Sequence, residues 1–147
     1  MSDLLDSITT QYSLEAVDPN TYSPLSLAFI GDGVYGLIVK TVITMQGNCS
    51  ANQLDTKSVR YVKAVSQAKM IDMMLENDYL TEEESNIYRR GRNGKSASKA
   101  KNASTMEYRK ATGLEALVGY LYLKGETDRA VEIVKWGMEM LDAKTNK

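Results

Sequence analysis

The sequence predicts an all-α fold, a helical bundle, and three observations carry that prediction. The two prolines, Pro19 and Pro24, both fall before residue 25, so the strongest helix breaker is absent from everything that follows. Beyond them, apolar residues recur at three- and four-residue spacing. No stretch alternates apolar and polar residues with the period of two that a half-buried strand requires, and no segment repeats.

The elements follow in order. Ser23 and Pro24 pair an N-cap with proline at the first helical position, and Leu27, Ile30, Val34 and Leu37 then repeat at helical spacing until Gly47. Ser50 and Gln53 match a capping box and open a long helix striped by Val59, Val62, Ser66, Met70 and Met73, ending near Asn77. Thr81 and Glu84 match a second box and open a short helix through about Arg89. Residues 91–104 hold Gly, Ser, Asn, Ala and Lys without periodicity, which predicts a mobile loop. Leu114, Leu117, Val118, Leu121 and Tyr122 give the cleanest stripe, closed by Gly125. Ala130, Ile133, Val134, Gly137 and Leu141 mark the last helix. The eight methionines are expected to fill gaps in the core. Residues 1–18 form an extension without a readable motif, ahead of one domain over 19–147 with a basic loop at about 91–104.

Composition narrows the chemistry. A chain of 147 residues, 43% hydrophobic and 25% charged, has the makeup of one soluble globular domain. Eighteen basic against nineteen acidic residues exclude a uniformly basic nucleic-acid binder but not a local patch. The lone Cys49 allows no intrachain disulfide and fits a reducing compartment. There is no histidine, which removes Ser-His-Asp and Cys-His nucleophiles, His-ligated zinc and imidazole proton transfer. Residues 1–13 carry Asp3 and Asp6 and no basic residue, unlike a signal or transit peptide, and no apolar run approaches the ~20 residues of a membrane span. The expected location is cytoplasmic.

Two acids stand where acids are costly. Asp32 is the only charge from Leu25 through Val39, and its helical neighbours Ala28, Phe29, Tyr35 and Gly36 cannot pair with it. Glu115 is the only charge from Ala111 through Gly119, flanked at helical spacing by Ala111, Thr112, Val118 and Gly119. Gly31, Gly33 and Gly36 surround the first acid, and Gly113 and Gly119 the second. A glycine inside a helix costs roughly 1 kcal/mol against alanine, so five of them imply close backbone approach, at a helix crossing or a dimer seam. Two helices crossing closely, each aiming one carboxylate at a common point, would hold a divalent cation between like charges. Mg²⁺ suits one or two carboxylates, with water and phosphate oxygens completing its shell, and Mn²⁺ is a possible substitute. A distant Lys or Arg answering each acid is the bland alternative.

Charge is also segregated. Residues 89–110 hold eight basic side chains, Arg89, Arg90, Arg92, Lys95, Lys99, Lys101, Arg109 and Lys110, against Glu107 alone. That is the footprint of a polyanion, and the run leads directly into the helix bearing Glu115. Gly94-Lys95-Ser96 is not a P-loop, because Arg89 stands where the motif needs its first glycine.

The motifs together carry a family resemblance. Leu27-Ala28-Phe29-Ile30-Gly31-Asp32-Gly33-Val34-Tyr35 resembles the ribonuclease III signature L-E-F-L-G-D-x-x-L. Thr112-Gly113-Leu114-Glu115-Ala116-Leu117-Val118-Gly119 resembles that family's D-x-x-E-A-L-[IV]-G helix. Arg90-Gly91-Arg92-Asn93-Gly94-Lys95-Ser96 and Tyr108-Arg109 look like the mini-ribonuclease III branch, the short form without a double-stranded-RNA-binding domain. The likeness spans about residues 20–142. Ala28 and Thr112 replace two acids of the longer enzymes, which leaves Asp32 and Glu115.

The resemblance implies a homodimer of helical domains that hydrolyses double-stranded RNA with Mg²⁺ and matures the ends of precursor 23S ribosomal RNA. It implies that Asp32 and Glu115 are the catalytic, metal-holding pair and that the products carry 5′-phosphate and 3′-hydroxyl. Arg92, Asn93, Lys95, Ser96, Lys99 and Lys101 are the expected RNA contacts. Two other readings fit the same residues: a non-catalytic helical protein that binds double-stranded or ribosomal RNA, and a helical interaction module with no RNA partner.

Overall fold

A computed structural model of the chain describes residues 3–94 and 105–145. Among the described residues there are seven α-helices and no strand: α1 Asp3–Gln11, α2 Pro24–Gln46, α3 Ala51–Val62, α4 Ala64–Glu76, α5 Glu82–Asn93, α6 Thr105–Leu123 and α7 Thr127–Thr145, with a 3-10 turn at Pro19–Thr21. The fold is therefore all-α. The helix starts form where the sequence marks them. The Ser23 hydroxyl accepts from the Ser26 N–H with Pro24 at the first position, and both capping boxes, Ser50 with Gln53 and Thr81 with Glu84, close in both directions. Gly125 ends α6 at φ +86°, where glycine is favoured, with Glu126 N–H reaching back to the Leu121 carbonyl at 2.8 Å.

Helix α6 is the centre of the bundle, with Leu114, Leu117, Val118 and Leu121 fully inside and α2, α4, α5 and α7 packed around it. Two crossings are close enough to require glycine. A Cβ on Gly31 would sit 1.7 Å from the Glu115 carbonyl oxygen, and one on Gly119 would sit 2.1 Å from that of Leu27. On the other side of α6, a Cβ on Gly91 would lie 2.7 Å from that of Ala116, and one on Gly113 would strike the Tyr88 ring. Backbone-to-backbone packing of α2 on α6 fixes where Asp32 and Glu115 point.

The structure departs from the sequence expectations at six places. The single helix expected up to Asn77 is two, because Lys63 is extended at φ −69°, ψ 149°. The break leaves the Tyr61 carbonyl free to accept from the Tyr35 hydroxyl at 2.6 Å, and it turns α4 against α6. Helix α5 continues past Arg89 to Asn93, so Gly91, Arg92 and Asn93 are helical and not part of a loop; Gly91 is there to meet Gly113. Gly33 and Gly36 touch nothing within 4 Å, so the close-approach argument fails for them within the protomer. Met70, Met73, Met74 and Met138 fill the core as expected, but Met45 and Met106 are exposed. Ile30, Val34 and Leu37 line an open surface groove, while the core face of α2 is Leu27, Ala28, Gly31, Tyr35, Val39 and Ile43. Finally, α2 is 23 residues long with mean hydropathy 1.5 over an 18-residue window, so among the described residues one helix is long and apolar enough to cross a membrane. Here it packs on α6 and α3, with Asp32 and Lys40 as its only charges.

Candidate active site

Asp32 lies on the third turn of α2, on the exposed side, and Glu115 lies half-buried on α6 directly across the Gly31 crossing. The Asp32 carboxyl acts on Glu115 across this crossing. No Lys or Arg pairs with either acid among the described residues. Among the described residues, then, neither acid meets the distant cation of the bland alternative.

The electrostatics record the cost. Burial first, then hydrogen bonding to and repulsion from Asp32, push Glu115 up to about 8 from an ordinary carboxylate value of 4.5, with Gln67 pulling the other way. Near neutral pH and without a cation, Glu115 therefore tends to keep its proton. Beneath it, Gln67 of α4 donates its side-chain N–H to Glu115 Oε2 at 3.5 Å. The Tyr35 hydroxyl is raised well above its usual range, by burial and then by the Glu115 charge, and so remains a neutral donor to Tyr61.

Two carboxylates meeting at a partly open surface offer hard oxygen donors and a net negative charge, which fits a hydrated Mg²⁺ or Mn²⁺ and does not fit a soft or imidazole-bound metal. No group of three or more His, Cys, Asp or Glu that could hold a metal occurs among the described residues.

The predicted RNA contacts divide. Lys95, Ser96, Lys99 and Lys101 lie outside the described residues. Arg92 is half-buried, with its guanidinium 5.7 Å above the Tyr88 ring and its Nε donating to Asn93 Oδ1 at 3.2 Å. Asn93 is exposed and lines a cavity of about 530 Å³ with Pro24, Asn86, Arg89 and Arg90. Arg89 donates to Asn86, and neither arginine is ion-paired among the described residues. Lys110, counted in the basic run, is taken by Asp72 at 2.8 Å. Sequence reasoning passed over Gln67, though its signal was present. A glutamine stands where Met70, Ile71 and Met74 continue an apolar face, and it is 2% exposed.

Comparison with known proteins places the geometry in a family. The ribonuclease III domain matches residues 25–126. A mini-ribonuclease 3 of Streptococcus pneumoniae is 39% identical over 86% of this chain and 98% of its own length. A mini-ribonuclease 3 of a Thermoanaerobacter species is 47% identical over 82% of this chain and 83% of its own. A crystal structure of a Fusobacterium nucleatum protein superposes with a TM-score of 0.71 at 28% identity, covering 83% of this chain and 96% of that one.

Proposed function

Because this chain belongs to the ribonuclease III family and is an endoribonuclease, we propose that Asp32 and Glu115 are its catalytic pair and that they hold Mg²⁺ between them. The family uses a divalent metal and acts on double-stranded RNA; the choice of Mg²⁺, with Mn²⁺ as substitute, follows from the donor set. One observation supports this reading: two acids on separate helices interact across the α2–α6 crossing, and among the described residues no basic side chain pairs with either.

The chain's residues then have defined work. Asp32, on the exposed side, is the principal ligand, and Glu115 is the second, anchored from inside the bundle. The cation, when bound, supplies activation of water and neutralisation of charge on the phosphate. Water attacks phosphorus and the bond to the 3′ oxygen breaks. That oxygen takes a proton, so the ends are 5′-phosphate and 3′-hydroxyl. Arg92, Asn93, Lys95, Ser96, Lys99 and Lys101 grip phosphates along the duplex, so binding falls steeply with salt.

The active form is a homodimer. Phe29, 83% exposed on α2, stands beside a groove of about 480 Å³ lined by Leu4, Ile30, Gly33, Val34, Leu37 and Val131. A second copy of the same face would cover both. Each protomer then cuts one strand. The substrate in the cell is precursor 23S ribosomal RNA, in the cytoplasm, where the unpaired Cys49 stays reduced.

The test is a duplex-RNA cleavage gel with and without Mg²⁺, run beside Asp32→Asn. Cleavage should need Mg²⁺ and disappear in the variant while duplex retention persists. A wild-type protein that binds duplex and never cuts it, at any Mg²⁺ or Mn²⁺ level, supports the RNA-binding alternative.

A further inference from the structure

Gln67 is a polar residue at a core position, and the chemistry above does not use it. It sits in the first turns of α4, 2% exposed, on the face that continues with Met70, Ile71 and Met74. An apolar side chain of the same length would fill that space without the cost of desolvating an amide. The Gln67 side-chain N–H is donated to Glu115 Oε2 at 3.5 Å, and its amide also acts on the neighbouring Tyr35 hydroxyl. The contact with Glu115 is at the long end for a hydrogen bond, so its value lies in direction more than in strength. Around it, Tyr35 is fixed at 2.6 Å to the Tyr61 carbonyl and at 3.3 Å to the Met70 sulfur. Tyr35 and Met70 thus form a hydrogen-bonded bed beside Glu115. The extended residue Lys63 sets it, by starting α4 where its first turns reach α6.

A donor is needed here, and its charge matters. Asp32 and Glu115 carry like charges when ionised, so an unsupported Glu115 carboxylate would turn away from Asp32. A lysine or arginine in the place of Gln67 would hold it, but would also neutralise the site and compete with a metal ion. A neutral amide holds the carboxylate and leaves the negative charge free.

We propose that Gln67 is a positioning residue, whose side-chain N–H keeps the Glu115 carboxylate facing Asp32 in the orientation that a divalent cation needs. This rests on the reading that Asp32 and Glu115 share such a cation. Partners of this kind behind a ligand set metal affinity by about 10- to 100-fold.

The experiment measures Mn²⁺ binding to metal-free protein by electron paramagnetic resonance, in wild type, Gln67→Met and Asp32→Asn. Gln67→Met keeps the volume and removes the donor. The expected result is a Mn²⁺ Kd weakened about 10-fold or more. The Mg²⁺ needed for half-maximal cleavage should rise in parallel, kcat should recover at saturating Mg²⁺, and KM for duplex and the metal-free Tm should stay unchanged. A purely structural role would instead lower Tm and leave the Mn²⁺ Kd alone. If Gln67→Met does not fold, Gln67→Ala is read by the same Kd ratio. When wild type binds Mn²⁺ and Asp32→Asn does not, the shared-cation reading stands, and a Gln67→Met Kd within twofold of wild type then overturns the positioning role alone. Mn²⁺ binding that ignores Asp32→Asn, or is absent from wild type, overturns both.

Discussion

Two glutamates on neighbouring helices meet opposite treatment. Glu84, 5% exposed near the start of α5, accepts from the Thr81 N–H at 2.9 Å. Arg129 grips it through both oxygens, at 2.7 and 2.8 Å. Burial works against its charge, but Arg129 and Thr81 overcome that and hold it below the usual carboxylate range. Glu115 on α6 has another carboxylate and a neutral amide for company and is pushed up to about 8. The chain can supply a buried cation where it needs one, and at Glu84 it does. At Glu115 it supplies none among the described residues, as a site that takes a cation from outside would require. The two glutamates differ in partner and not in residue type, and the proposed role of Glu115 as a metal ligand rests on that difference.

The contrast breaks most visibly in activity. Glu115→Gln should cut the rate of duplex cleavage by about 10²- to 10³-fold, the scale for losing one stabilising group in a catalytic site. The metal-free fold should be about as stable as before near neutral pH, since Glu115 is held protonated there and Gln is its neutral mimic. Arg129→Met should do the reverse. It strands Glu84 as a buried charge and costs about 3–5 kcal/mol, read by urea unfolding. Cleavage per folded molecule should be nearly unchanged.

Next in size are the glycines, which divide in the same way. Gly119→Ala drives a Cβ against the Leu27 carbonyl and should cost about 3 kcal/mol, because backbone cannot move aside cheaply. Gly33→Ala meets nothing within 4 Å. It should raise protomer stability by up to about 1 kcal/mol from helix propensity. Light scattering should show a weakened dimer if this face is the seam.

The pH dependence sharpens the comparison further. For Glu115 the pKa in the fold is raised, so its contribution to stability is complete below about pH 4.5 and is lost as pH climbs through about 8. The Tm of metal-free protein should fall by a few degrees across that window, at about 2–4 °C per kcal/mol. Glu115→Gln or added Mg²⁺ should flatten the fall. Glu84, held below its usual value, acts with opposite sign: its contribution is present above the ordinary carboxylate range and is lost on acidification.

The legible part of this molecule was local. Ser23, Ser50 and Thr81 mark helix starts through chemistry contained within four residues, and the structure builds each one. Asp32 and Glu115 were legible for another reason, since an acid without a cation at helical spacing announces a partner elsewhere. The illegible part depended on tertiary packing. The break at Lys63 carries no proline or glycine, and only the packing of α4 on α6 and the Tyr35 bond to Tyr61 account for it. Gly91 looked like a loop residue because the surface it meets, Gly113, is 22 positions away. Arg129 lies 45 residues beyond Glu84, so Glu84 showed only its capping box. The groove-facing stripe of α2 was hidden because both of its faces are apolar.

An anomalous difference map from crystals soaked in Mn²⁺ reads directly what lies between the two carboxylates. A peak is expected about 2.1 Å from an oxygen of Asp32 and of Glu115 alike, absent from crystals of Asp32→Asn. A map with no peak there, and a lysine or arginine of a second protomer resting on the two acids instead, would contradict the shared cation.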